Sequence, residues 1–425
     1  MTAPIRLAIV GCGGMGRRHL AGLAELSRAG YRVVDLVAVC DPDQANAERL
    51  AAEAEVLLKV RPTIFGDAAR MVEQVEGLEA AGCTTDTGSH HRVAAELLDL
   101  GLHVLCEKPL ALTVRGCRRI TAAAERSGRV LSVAENFRRD PMNRLVRALI
   151  DGGAIGSPQF ALEVGVGGRD DILITPWRHM KLAGTLPLDA GVHHADILQY
   201  CFGPAESCSG EVRLFERRRY RRGTDGPGGY YEPWAAGMPE EIEPDGEDAM
   251  FGLIRFANGA VGQWTDHHAG HGLRFAARRL YGTRGSIVAP GDRNGRPVRL
   301  TLDDGTDIED GRILEFAPGY RLSSVAAALF GSERPWRYQL DFPATDRKLI
   351  ALEYDELASC IRSGGQPEVD GATALGAVAL VYALFESDRA RRPVTIAEVE
   401  SGSVDAYQRE IDAHLGLVTA GEAAG

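Results

Sequence analysis

Two short segments of the chain carry side chains suited to moving a proton. The triplet Glu107-Lys108-Pro109 follows the apolar run from His103 to Cys106, and Asp189 precedes His193 by four residues. Because residues four apart share one face of a helix, we expect Asp189 to hydrogen-bond His193 and to fix the tautomer of its imidazole. Lys108 is suited to share a proton with a substrate hydroxyl. A solvated lysine and a helix-capping aspartate are the purely structural alternatives.

A glycine-rich segment near the start of the chain predicts that a cofactor binds at such a site. The apolar run from Ile5 to Val10 leads into Gly11, Gly13 and Gly16, and leucines at helical spacing follow. This pattern is typical of a strand, tight turn and helix whose backbone N–H groups bind a dinucleotide diphosphate. The residues that we expect to bind it are Gly11, Gly13, Gly14, Met15 and Gly16.

Asp41 indicates which dinucleotide binds. It ends the second apolar run, from Val33 to Val39, and lies 25 residues beyond Gly16. A carboxylate at this point is expected to accept hydrogen bonds from the adenosine ribose and to repel a 2′-phosphate. We therefore predict NAD rather than NADP. Asp41 followed by Pro42 is also a good start for a helix, and the two roles are compatible.

Length, charge and cysteine content exclude several classes of protein. The 425 residues are enough for two or three domains, and the formal net charge of −11 opposes binding to nucleic acid. No apolar run approaches the roughly 18 residues needed to span a bilayer, and no basic leader precedes the first strand. The eight cysteines lack metal-binding spacing. We expect a cytoplasmic protein with reduced thiols, without a metal site and without a membrane or nucleic-acid partner.

The order of the predicted elements indicates an α/β protein with two domains. Apolar strands alternate with helices up to residue 135, as in a Rossmann dinucleotide-binding domain at residues 1–135. Residues 136–425 predict an α+β domain with a large, mostly antiparallel, open sheet. Its signals are a hairpin turn at Asn258-Gly259, loops or lids at residues 216–247 and 289–299, and helices at residues 142–152, 349–363 and 372–390.

These motifs together resemble the Gfo/Idh/MocA family, named after glucose-fructose oxidoreductase, inositol dehydrogenase and a rhizopine catabolism protein. The resemblance covers nearly the whole chain and implies that Lys108 and His193 are the catalytic pair, with Asp189 orienting substrate and histidine. It also implies that His90, Glu107 and Lys108 contact the cofactor. The substrate-binding residues that it implies are Asn136, Arg138, Trp177, Arg178 and His194.

The resemblance implies an NAD-dependent dehydrogenase that oxidises a secondary hydroxyl of a sugar, glycoside or cyclitol. The segment from Thr175 to His179 resembles members that oxidise the C3 hydroxyl. Two alternatives stay open, a redox-neutral NAD-dependent glycosidase and a regulator that senses cofactor and sugar. Lys108 and His193 argue against the regulator, but the sequence does not decide which of them takes the proton. Family members commonly pair through the second sheet, so we expect a homodimer or homotetramer.

Overall fold

The first sheet of the structure is built from six short strands. A computed structural model describes residues 3–222 and 230–418 of the chain. The strands of this sheet are β1 (Ile5–Val10), β2 (Val34–Cys40), β3 (Thr63–Phe65), β4 (Ala80–Cys83), β5 (His103–Glu107) and β6 (Leu131–Ala134). All neighbouring strands are parallel, in the order β3-β2-β1-β4-β5-β6. This order confirms the predicted Rossmann fold, whose ligand crevice lies where the order reverses, at the carboxyl ends of β1 and β4.

Five helices connect these strands. They are α1 (Gly14–Arg28), α2 (Gln44–Leu58), α3 (Ala68–Gln74), α4 (Thr87–Asp99) and α5 (Val114–Ser127). Polar side chains cap α2 to α5, namely Asp43, Asp67, Asp86 and Thr113. Within the described chain no side chain caps α1. Its first N–H groups therefore remain available for an anion.

A second, larger sheet follows two linking helices, α6 (Asn136–Arg139) and α7 (Pro141–Asp151). The remaining strands are β7 (Pro158–Gly168), β8 (Ala205–Arg213), β9 (Arg219–Tyr220), β10 (Glu241–Ile242), β11 (Ala249–Phe256), β12 (Val261–Gly270), β13 (Phe275–Gly282), β14 (Gly285–Ala289), β15 (Arg299–Leu302), β16 (Asp307–Ile308) and β17 (Val394–Thr395). The described part of the sheet has the order β16-β15-β14-β13-β7-β12-β11-β8-β17, and β9 pairs with β10 separately. Only β7 and β12 are parallel neighbours within it, so the predicted mostly antiparallel sheet is confirmed.

The other helices lie around and after this sheet. They are α8 (Leu186–Asp189), α9 (Gly191–Phe202), α10 (Glu232–Ala235), α11 (Ser324–Phe330), α12 (Phe342–Ser363), α13 (Gly371–Ala390), α14 (Ile396–Ser401) and α15 (Arg409–His414). The predicted helices correspond to α7, α12 and α13, although α12 begins at Phe342, well before residue 349. Asp341 caps this earlier start and Pro343 occupies its first turn.

The two faces of the second sheet differ in character. Trp264, Glu163 and Arg278 are register partners on the inner face and are all buried. The outer face carries large exposed apolar side chains on three strands, including Leu253 and Phe275, which are 55% and 53% exposed. The predicted hairpin joins two of these strands, and Gly259 supplies its positive φ of 87°.

The long helix α12, from the last quarter of the chain, packs against α1 beside the first sheet. Asp346 accepts hydrogen bonds from Arg18, and the hydroxyl of Tyr354 lies 2.8 Å from Nδ1 of His19. Ile350 lies where a side chain on Gly22 would project. Part of the cofactor domain is therefore held by residues from the far end of the chain. Among the described helices we find none with the length and apolar character needed to cross a membrane.

Candidate active site

A cleft of about 1080 Å³ lies between the carboxyl edge of the first sheet and the layer of the second. Most of the residues predicted from sequence line it. They are Gly11, Gly13, Gly14, Met15, Asp41, His90, Glu107, Lys108, Asn136, Trp177, Arg178, Asp189, His193 and His194. Gly16 and Arg138 are predicted site residues outside this described lining. The fold thus brings the glycine-rich turn and both acid–base segments to one place.

The three glycines of the turn meet different spatial demands. Gly11 has a φ of +96°, and a Cβ on Gly16 would lie 2.3 Å from the carbonyl oxygen of Gly11. Both positions therefore require glycine for the turn and for the close packing of α1. No described atom lies within 4 Å of the Cβ position on Gly13. This open space lets a diphosphate approach the backbone.

The carboxylate of Asp41 is held in place at the end of β2. Its Oδ2 accepts a hydrogen bond from the backbone N–H of Cys12 at 2.7 Å, and its Oδ1 accepts one from Asp43 at 2.8 Å. Each oxygen keeps acceptor capacity for a ribose hydroxyl. Asp43, rather than Asp41, caps the following helix. The alternative role of Asp41 as a helix cap is therefore wrong.

The residues present fit a bound dinucleotide. Beside the open position at Gly13 and the fixed carboxylate of Asp41, the buried Oδ1 of Asn136 has no partner among the described residues. A buried acceptor without a donor is costly unless a ligand satisfies it. The cleft therefore offers polar groups both at the turn and at its inner end.

Lys108, Asp189 and Arg178 form a charged cluster in the cleft, in which Asp189 and Arg178 are buried and Lys108 is half-buried. The Nζ of Lys108 donates to the carbonyl oxygen of Asp189 at 2.8 Å and to its Oδ1 at 3.3 Å, and Nε of Arg178 donates to Oδ2 at 3.0 Å. Burial alone would raise the pKa of Asp189, but the charges of Arg178 and Lys108 outweigh it and hold that pKa well below its usual range. Asp189 is therefore an anion.

The prediction of a hydrogen bond between Asp189 and His193 is wrong. Asp189 is the last residue of α8 and His193 lies in α9, so the two do not share one continuous helix. Nδ1 of His193 instead lies 2.6 Å from Oε1 of Glu135. The ring of Phe137 stacks on the imidazole at a centroid distance of 4.1 Å. Glu135 and Phe137, not Asp189, orient the catalytic candidate His193.

Glu135 was missed by the sequence analysis. It directly follows β6 at the same sheet edge as Lys108, and that position was the available signal. Burial raises the pKa of Glu135 to about 7, and burial together with Lys108 and Arg293 lowers the pKa of His193 well below its usual range. The imidazole is therefore neutral, and the state of Glu135 sets its tautomer.

The tautomer decides whether His193 can act as a base. When Glu135 is ionised, it accepts a hydrogen bond from the N–H group at Nδ1. The ring proton then stays on Nδ1, and Nε2 keeps a free lone pair. When Glu135 is protonated, it donates to Nδ1, so the ring proton moves to Nε2. Only the first arrangement can take a proton from a substrate at Nε2.

Glu107 and His90 line the cleft but are already engaged by protein groups. Oε1 of Glu107 lies 2.9 Å from Nε2 of His19, and its Oε2 accepts the N–H of Lys108 at 3.0 Å. The Nδ1 of His90 lies 3.0 Å from the carbonyl oxygen of Pro109. Possible ligand atoms of His90, Cys83 and Cys106 lie within 4.8 Å of one another, a grouping that the cysteine spacing did not indicate.

Arg138 lies outside the described lining of the cleft. Its guanidinium makes two hydrogen bonds with Asp196, at 2.6 and 2.8 Å, and stacks over Tyr200. Arg138 and Asn136 are two residues apart in the short helix α6, so their side chains project from different sides of it. Asn136 lines the cleft. The structure thus gives Arg138 protein partners of its own, and its role as a substrate ligand stays a prediction.

His194 reaches the inner face of the second sheet. Its Nδ1 lies 2.8 Å from Glu163, which also pairs with Arg278. Burial opposes a charge on His194, but Glu163 outweighs that effect and raises the pKa of His194. His194 thus differs from its neighbour His193 in the direction of its pKa shift and in its partner.

Residues 230–238, which we call the strap, lie against the outer side of the cleft. Tyr231, Trp234, Gly237 and Met238 contribute to its lining. The strap belongs to the segment 216–247 predicted as a loop or lid, of which residues 223–229 lie outside the described residues. This segment also includes α10 and the short strands β9 and β10.

Comparison with known proteins agrees with this architecture. The family model for the NAD-binding Rossmann fold of an oxidoreductase family matches residues 5–135, and the model for its C-terminal alpha/beta domain matches residues 147–396. The chain belongs to the Gfo/Idh/MocA oxidoreductase family. It is therefore an oxidoreductase, and the predicted cofactor, NAD, is confirmed by the family's Rossmann domain.

Relatives within the Gfo/Idh/MocA family are similar along most of their length. The chain is 27% identical over 395 residues to D-apiose dehydrogenase from Paraburkholderia graminis, covering 93% of this chain and 90% of that protein. It is 28% identical over 329 residues to levoglucosan dehydrogenase from Pseudarthrobacter phenanthrenivorans, covering 74% and 81%. A solved levoglucosan dehydrogenase in complex with NADH shares the fold, with a TM-score of 0.72, 20% identity, and coverage of 93% and 99%.

The pair of Glu135 and His193 predicts a specific pH dependence. Since Nε2 of His193 is a base only when Glu135 is ionised, kcat/KM for oxidation should rise with pH through about 7, the pKa of Glu135, and then level off. Steady-state rates between pH 5.5 and 9 measure this. The variant Glu135→Gln keeps the shape of the side chain but does not ionise, so it should lose this rising limb. An unchanged limb in Glu135→Gln would assign the titration to another group.

Proposed function

We propose that the chain oxidises a secondary hydroxyl of a sugar, glycoside or cyclitol with NAD. The observation that carries this proposal is the neutral, oriented His193 in the same cleft as the cationic Lys108 and the glycine-rich turn. Relatives named D-apiose dehydrogenase and levoglucosan dehydrogenase support a sugar as the substrate.

In the proposed mechanism, His193 and Lys108 both act on the substrate hydroxyl. Nε2 of His193 accepts the hydroxyl proton while Glu135 holds the proton on Nδ1. An ammonium group has three donors, and Lys108 uses two of them on Asp189, so one remains to stabilise the alkoxide-like oxygen. When bound, the nicotinamide ring of NAD supplies the hydride acceptor.

Trp177, Arg178 and Asn136 are the proposed substrate contacts. The Arg178 guanidinium stacks 4.2 Å from the Trp177 ring centroid, in a 3₁₀ turn that includes both residues. An indole can cover an apolar sugar face, and a guanidinium can bridge two hydroxyls. The same segment resembles members that oxidise C3, so we propose the C3 hydroxyl as the reacting group. His194 lines the same cleft and contacts Glu163.

Substitutions at the catalytic pair test the proposal. Lys108→Met and His193→Ala should each lower kcat by roughly 10²-fold or more, because each removes a group that acts on the reacting oxygen. NADH binding, measured by fluorescence titration, should change little. His194→Ala is the matched control and should have a much smaller effect on kcat. A larger loss in His194→Ala than in His193→Ala would contradict the assignment.

A second candidate function is a redox-neutral glycosidase that oxidises a glycoside, eliminates its aglycone and then returns the hydride. The strap favours it, because residues that lie against the cofactor cleft suit a reaction that restores NAD in place. We favour net oxidation because the similar relatives are named as dehydrogenases. A regulator without catalysis has no use for the arrangement of Lys108 and His193.

The two candidates differ in what happens to the cofactor. Net oxidation should accumulate NADH, in proportion to the sugar consumed, when monosaccharides, inositols and aryl glycosides are offered with excess NAD. We expect a lasting rise in absorbance at the NADH band with at least one of them. Release of an aglycone from an aryl glycoside under catalytic NAD, without accumulated NADH, would replace net oxidation by the glycosidase.

We also propose that a second copy of the chain covers the outer face of the second sheet. Leu253, Val261, Phe275 and Tyr281 are exposed and share this face by strand register. An exposed apolar face of this kind is usually an interaction surface. Light scattering at micromolar concentration should give the mass of a dimer or tetramer, and Leu253→Lys should lower it. A wild-type mass of one chain would contradict the proposal.

A further inference from the structure

We propose that the strap covers the bound dinucleotide and that NADH leaves the protein only when the strap opens. The first observation lies at the glycine-rich turn. A Cβ on Gly14 would lie 2.7 Å from Cε1 of Tyr231, so the tyrosine ring packs directly on the backbone at the start of α1. The N–H groups of this first turn are those expected to bind the diphosphate. Tyr231 therefore lies beside the diphosphate site.

Trp234 covers a second part of the same site. The Arg49 guanidinium lies 5.2 Å from the Trp234 ring centroid, and Arg49 is on α2, the helix that follows Asp41. Trp234, Asp41 and Asn46 line the same cleft. Since Asp41 is the carboxylate that we expect to bind the ribose, Trp234 is placed to cover the adenosine half of the cofactor. Aromatic side chains bind bases by stacking on the face of the ring, so this contact does not depend on the hydrogen-bonding groups at the edge of the base.

Hydrogen bonds attach the strap on both sides of the cleft. Nη1 of Arg17, on α1, donates to the carbonyl oxygen of Tyr230 at 2.9 Å. On the other side, Nη1 of Arg221 donates to the carbonyl oxygen of Ala235 at 3.0 Å. The strap thus bridges from the second domain to the cofactor helix. A dinucleotide beneath it cannot leave along this path without breaking the contact with Arg17 or moving Tyr231.

Tyr231 also connects the strap to the substrate cluster. Nη2 of Arg178 donates to the Tyr231 hydroxyl at 3.4 Å, and Arg178 in turn holds Asp189. The strap is therefore joined to the substrate cluster as well as to α1. The proposal goes beyond the proposed function and depends on NAD binding, not on the identity of the sugar.

The rate of NADH dissociation tests the strap without any turnover. The protein is loaded with NADH, mixed with excess NAD in a stopped-flow instrument, and followed by NADH fluorescence. Tyr231→Ala and Trp234→Ala should each release NADH about tenfold faster than the wild type, the scale of one lost aromatic stacking contact. Arg49→Ala, which removes the cation over Trp234, should give a smaller increase in the same direction.

Two further measurements separate the strap from other effects. Phe215→Ala, an exposed aromatic residue outside the cleft lining, is the matched control and should leave the release rate unchanged. ADP-ribose lacks the nicotinamide, so its binding by calorimetry should weaken in the strap variants as NADH binding does. Release rates within twofold of wild type in both Tyr231→Ala and Trp234→Ala would overturn the proposal. Weaker NADH binding with unchanged ADP-ribose binding would also overturn it, because the effect would then lie at the nicotinamide end.

Discussion

The ion pair between Lys108 and Asp189 is the contact on which the geometry of the cleft depends. Lys108 follows β5 of the first sheet, whereas Asp189 ends α8 in the layer of the second sheet. The same carboxylate binds Arg178, so one buried anion lies between a buried arginine and a half-buried lysine. Loss of Asp189 would leave both cations without their shared partner, which is more costly than loss of an exposed pair. The two layers are therefore held at one separation.

The burial that strengthens this ion pair has the opposite effect on the neighbouring pair of Glu135 and His193. Here desolvation raises the pKa of the carboxyl group and lowers that of the imidazole, so both move toward their neutral forms. One cleft thus contains a group of fixed charges and a pair whose single proton can move. Fixed charges position a substrate, and a movable proton lets one side chain act as a base near neutral pH.

Much of the fold and part of the site could be predicted from sequence, for physical reasons. Gly11, Gly13 and Gly16 are constrained by local sterics, so their spacing alone indicates the turn and the sheet that follows. The partner of His193 depends on where the chain breaks between α8 and α9, and local spacing did not reveal that Ala190 separates two helices. Arg138 and Asn136 are neighbours in sequence, yet only the tertiary position of Asp196 explains why Arg138 turns away from the cleft. The strap's contact with Gly14 joins residues more than two hundred positions apart, which periodicity cannot show.

The packing of α12 on α1 has a consequence for how this fold can be recombined. Asp346, Ile350 and Tyr354 complete the surroundings of Arg18, Gly22 and His19, although they lie far beyond the first sheet in sequence. A chimera that exchanges only the first 135 residues would bring in a cofactor helix whose half-buried arginine and buried histidine face a foreign helix. The cofactor helix and the residues that pack against it are thus encoded in two separate stretches of the gene. A working exchange of cofactor domains must move both.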